Sequence, residues 1–93
     1  MSVRSGYCLL ISTVCEGAVP YERDAAGLPV IYENLRAVQQ ALVEGVIERL
    51  KQFLSGEREF SDAMTIEEYI AEVEIYVDGV IGDADGNLFH ADS

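Results

Sequence analysis

Glu72 and Glu74 stand two positions apart, a spacing that could do chemistry. On one face of a strand such a pair sits about 7 Å apart, loosely the acid–base separation of an inverting glycosidase. A chain of 93 residues offers little wall for a sugar cleft, however, and solvated glutamates on a strand are common. Cys8 and Cys15 are nucleophiles by type, but no histidine stands near either in sequence. The single His90 falls in the C-terminal tail. No set of nucleophile, base and orienting group presents itself. The chain reads as a non-enzyme with no cofactor.

Asp83-Ala84-Asp85-Gly86 looks like the middle of a calcium loop. Placing Gly86 at the loop's sixth position puts Ile81 where the first carboxylate belongs, and Asp92 where the closing Glu belongs. A hairpin turn is the better account, so no metal site is expected. The two cysteines would lie roughly 23 Å apart on one continuous strand at about 3.3 Å per residue, whereas a disulfide needs Cα atoms within about 7 Å. Buried free thiols in a reducing cytoplasm are the simpler reading.

The glutamate pair belongs to the run Thr65–Gly82, TIEEYIAEVEIYVDGVIG. Its odd positions are Tyr69, Ala71, Val73, Ile75 and Val77, and its even positions Ile70, Glu72, Glu74, Tyr76 and Asp78. Side chains alternate faces along a strand, so this is a half-buried strand with an acidic outer surface. Asp78-Gly79 is a hairpin signal leading into Val80-Ile81. Asp83–Asn87 makes a second turn, and Leu88-Phe89 a last apolar pair before the tail.

Upstream, Met1–Gly6 reads as a loose leader and Tyr7–Val14 as a central strand, apolar on both sides. Turn residues fill Cys15–Pro29, and Pro29–Tyr32 suits a short edge strand. Asn34 is an N-cap for a helix running to about Leu54, closed by Ser55-Gly56. At 100° per residue, Leu35, Val38, Leu42, Val46, Leu50 and Phe53 form one stripe, to face the sheet with Leu9, Ile11, Val73 and Ile75. Val43, Ile47 and Leu54 widen the apolar arc beyond what one small sheet requires, and are expected to meet a loop, a partner or a second subunit in a homodimer. Glu57–Met64 reads as a turn or short helical piece, with Phe60 plugging the end of the core.

The expected architecture is α+β: a small antiparallel sheet of three or four strands in β-β-α-β-β order, with one long helix on one face. Residues 1–93 form one domain. No apolar run approaches the roughly eighteen residues a membrane helix needs.

Charge carries the partner argument. The formal net charge is −11, and residues 57–93 hold eleven acids against the single Arg58. That leaves −10 on this segment and −1 on residues 1–56. A surface so charged repels nucleic acid and anionic lipid and attracts basic proteins. Glu57, Glu59, Asp62, Glu67, Glu68, Glu72, Glu74 and Asp78, with Tyr76, are therefore the candidate partner-binding residues, arranged as an acidic ridge. Same-face spacing of about 7 Å is of the order of successive phosphates along a DNA strand. Such a ridge suits a groove built for nucleic acid, on a basic host protein or ribonucleoprotein. The alternative is a small homo-oligomeric accessory domain whose acidity serves only solubility.

The run FLSGEREFSDAMTIEEY, Phe53–Tyr69, followed by DGVIGDADGN, Asp78–Asn87, resembles small acidic proteins of bacterial mobile elements. In size, acidity and lack of a catalytic set the chain is also similar to phage-encoded anti-CRISPR proteins, a likeness of type that transfers no residue. It implies a stoichiometric inhibitor bound to a basic channel or subunit of a CRISPR effector.

Overall fold

The computed structural model describes residues 2–91, which leaves Met1, Asp92 and Ser93 outside the described residues. Five strands and two helices follow in the order β1 (Ser2–Thr13), β2 (Gly17–Pro20), α1 (Leu35–Leu54), α2 (Phe60–Met64), β3 (Glu68–Tyr76), β4 (Ile81–Asp83) and β5 (Leu88–Phe89). All strand pairs are antiparallel, in the spatial order β2-β1-β3-β4-β5. The class is α+β, with five strands in place of the three or four expected.

β1 is the central strand the apolar run predicts, but it begins at Ser2, so most of the expected leader is ladder. It pairs with β3 from Ser2↔Tyr76 to Ile11↔Glu68. β2 is the element the sequence concealed. Glu16-Gly17 and Pro20 are turn residues by type, yet Thr13 Oγ1 donates to the Gly17 carbonyl at 2.7 Å and accepts from the Glu16 N–H at 3.0 Å. With Gly17 at φ +70°, these bonds reverse the chain in three residues and lay Gly17–Pro20 on the edge of β1. Conversely, Pro29–Tyr32 is not a strand: Tyr32 and Pro29 make isolated bridges, to Tyr7 and Arg23.

Two loops share one local design, D-A-x-G-x, at Asp24–Leu28 and Asp83–Asn87. In each, the aspartate Oδ1 accepts from the N–H groups two and four residues on, at 2.8–3.0 Å. In each, the glycine takes φ near +85 to +90°. The carboxylate of Asp83 is thus committed to the turn, its Oδ2 accepting from the Asn87 amide at 2.8 Å. The Asp78-Gly79 hairpin forms as expected, Tyr76 N–H donating to the Val80 carbonyl at 2.9 Å.

Cys8, Leu10, Val73 and Ile81 form the core on one face of the sheet, joined by Tyr69, Ala71, Ile75 and Phe89. The loop before α1 covers it through Leu28 and Ile31. The odd positions of β3 are therefore apolar and inward, as the alternation requires. α1 lies on the other face, because Arg49 reaches Glu68, which stands opposite Ile11 in the ladder and shares its side of the sheet.

α1 has the predicted bounds, and Asn34 Oδ1 accepts from the Ala37 N–H at 2.8 Å. Its rotation differs. Val38 is the fully buried residue, Leu42 and Val46 of the predicted stripe are half-buried, and the flank running through Ala41, Gly45, Arg49 and Gln52 turns inward with them, Gly45 passing beneath the Tyr21 hydroxyl. The centre of the inward face is about 60° from that of the predicted stripe at 100° per residue. Leu35, Leu50 and Phe53 consequently face solvent, and so does Phe60, which stacks edge-on against Phe53 at 5.3 Å instead of plugging the core.

The cysteines also part company. Both are free, Cys8 buried and Cys15 exposed in the β1–β2 turn. Burial, aided by the Asp83 charge, pushes the Cys8 thiol up to about 11. A thiol reagent at pH 8 is expected to modify Cys15 alone in the native protein, and both thiols in denaturant. Two fast equivalents from the native protein would mean that the β1–β3 ladder opens.

Candidate functional site

Along β1 and β3 the face opposite the core carries Ser5, Tyr7, Leu9 and Ile11, paired with Glu74, Glu72, Ile70 and Glu68. α1 covers one end of this face and leaves the other open. Glu72 and Glu74 are exposed on the open part. Their register neighbours explain the shape there. Ser5 lies across one ladder from Glu74, and Gly82 across the other. A Cβ at Gly82 would stand 3.0 Å from the Tyr76 ring and 3.2 Å from Leu88, so a larger residue there would push both side chains back by a few tenths of an ångström. The result is an open hollow of about 300 Å³ lined by Ser5, Glu72, Val73, Glu74, Gly82 and Asp83. The Tyr76 hydroxyl points back to Glu74 Oε2 at 3.5 Å. Neither Glu72 nor Glu74 has a salt-bridge partner among the described residues.

The remaining ridge residues do not form one continuous surface. Glu68 is the correction. Its side chain is 2% exposed, and its two oxygens accept from Arg49 Nη2 at 2.6 Å and Nη1 at 3.0 Å. It belongs to the packing of α1, not to a recognition surface. The Arg49 bonds hold its carboxyl below the usual carboxylate range, against the opposing effect of burial. Asp62 is exposed but paired with Arg58 Nη1 at 2.7 Å, while Arg58 Nε donates to Gln52 Oε1 and fastens the α1–α2 corner. Glu57 and Glu59 are exposed in that corner, and Glu67 just before β3. Asp78 is exposed in the β3–β4 turn, where Oδ1 accepts from the Val80 N–H at 3.1 Å. Between Glu67 and Asp78 lie eleven residue steps, roughly 36 Å at strand rise. The acids therefore form two end groups with Glu72 and Glu74 between them.

His90 lines a second hollow with Tyr76, Val77, Asp78, Val80 and Leu88, against the β3–β4 turn. Burial and the Asp83 and Asp85 charges raise the Tyr69 phenol. Sequence reasoning missed Arg49 as the partner of Glu68, and missed Ser5 and Gly82 as the floor beside the acids. The second omission was recoverable only from the strand register, since β1 lies some seventy residues from β4.

Among the described residues no helix is long and apolar enough to cross a membrane. No known protein family, no curated protein and no solved structure matches the chain. What the fold and this surface define is a class: an α+β two-layer domain with one acidic, uncovered half-face.

Proposed function

We infer that the protein is a non-enzymatic interaction protein that engages a basic surface of a host protein or ribonucleoprotein through the uncovered acidic half of its sheet. The observation that carries this is the pair Glu72 and Glu74, exposed without counter-charges beside a glycine-floored hollow, in a segment of charge −10. The concrete form of the proposal is a phage or mobile-element inhibitor, of the anti-CRISPR type, that acts in the host cytoplasm by occupying a nucleic-acid channel.

An arginine-rich peptide, labelled for anisotropy, is the probe of such a surface. Binding is expected to weaken steeply from 0.1 M to 1 M salt, as the Debye length falls from about 10 Å to about 3 Å. The double reversal Glu72→Lys/Glu74→Lys should abolish it with an unchanged circular dichroism spectrum, because both side chains point to water. Glu16→Lys/Glu33→Lys, equal in charge change and exposed elsewhere, should leave most of it. Equal weakening by both pairs would show that only total charge matters. No effect from either would place the contact away from β3.

A further inference from the structure

α1 is uncovered along a second, apolar face, and its residues repeat at coiled-coil spacing. Val43, Ile47, Leu50 and Leu54 follow one another at intervals of four, three and four, the d-a-d-a seam of a heptad. They are 54%, 45%, 36% and 81% exposed. The protein as a whole shows the same excess. It exposes 6270 Å², against about 5,300 Å² for a compact monomer of its mass. Its radius of gyration is 14.5 Å, against roughly 12.3 Å for a compact chain of this length.

We propose that the occupant of this face is a second copy of the same chain, packed α1 against α1, antiparallel about a two-fold axis passing between Ile47 and Leu50. That axis sets Ile47 against the partner copy's Leu50 and Val43 against its Leu54, so the seam closes on itself. Two further features of the monomer fit the same register. The hollow beside Val43, about 320 Å³ and lined by Arg36, Gln39, Gln40, Val43 and Glu44, is the hole into which the opposing Leu54 knob falls. On the open flank of the seam, Glu44 and Lys51 both occupy the e position, and the antiparallel register brings Glu44 of each copy beside Lys51 of the other. The charge balance also suits self-association. With Arg49 spent on Glu68, α1 presents Arg36 and Lys51 against Glu44 and Glu48, a neutral balance in a chain of −11.

The test is light scattering after gel filtration across protein concentration. Wild type should run at twice its 10.2 kDa. Ile47→Glu and Leu54→Lys should each run as folded monomers, Leu54 being exposed enough that its replacement leaves the monomer's packing alone. Glu44→Lys and Lys51→Glu should each weaken dimerisation about tenfold, and the double exchange should restore it. A folded wild-type monomer at high concentration overturns the proposal. So does a dimer that survives both apolar replacements, and single charge variants without effect would overturn the antiparallel register.

Discussion

Glu68→Ala is expected to cost about 3–5 kcal/mol of folding stability, out of a total of roughly 5–15 kcal/mol for a domain. The reason is what the change leaves behind. The Arg49 side chain is only 13% exposed and donates both of its charge-assisted bonds to Glu68. Its Nε is buried already without a partner among the described residues. Without the carboxylate, a guanidinium remains between helix and sheet with nothing to satisfy it. Exchanging both residues, Arg49→Met with Glu68→Leu, should cost far less and can even stabilise, because no charge is then stranded. The folded-state pKa of Glu68 is depressed from 4.5. The pair's contribution is therefore complete above the unfolded value and is lost as pH falls through the folded one. Urea unfolding of wild type and the two variants at pH 7, and of wild type down through the acid range, measures this. A single-variant loss under about 1 kcal/mol would mean that α1 is not held by this pair.

The second large effect lies on the opposite face. Leu10→Ala should cost about 2–5 kcal/mol, since Leu10 is wholly buried among Cys8, Val73 and Ile81. Leu50→Ala, the residue that the helix stripe would have placed in the same core, should cost well under 1 kcal/mol in the dilute monomer. In the dimer its cost should grow with protein concentration, because it then removes part of the association energy. Denaturation at two concentrations separates these. A large, concentration-independent loss at Leu50 would restore the predicted helix rotation.

That rotation marks where legibility in the sequence stopped. Local signals were reliable. Asn34 capped α1, Asp78-Gly79 turned the chain, and the alternation from Tyr69 to Ile75 gave the inward side of β3, although Val77, expected to continue it, lies past the strand and is exposed. The misreadings arose where distant partners decide. An apolar arc half-way round a helix does not fix which part of it faces the sheet. Here the inward side carries Arg49, bonded to Glu68 nineteen residues away, a pairing that no helical period announces. Glu68 looked like its neighbours Glu67 and Glu72 because nothing local distinguishes a carboxylate that will meet a guanidinium. β2 escaped notice because its turn is closed by a side-chain hydroxyl, Thr13, where an Asn-Gly pair would have announced it. Of the site, the acids themselves were legible and their floor was not, since Ser5 and Gly82 enter through pairing.

The β1–β3 ladder carries a consequence for how the chain is made. Leu10 pairs opposite Tyr69, and the two strands are about sixty residues apart along the ladder's centre. At 5–20 residues per second, β1 waits on the order of 3–12 s for its partner to be synthesised. During that interval its apolar run, Cys8–Ile11, has only the β2 hairpin and the Tyr32 bridge to shelter it. The early hairpin pairs only Leu10–Thr13, so the N-terminal part of that edge waits for the Tyr32 bridge, and the whole of the other edge waits for β3.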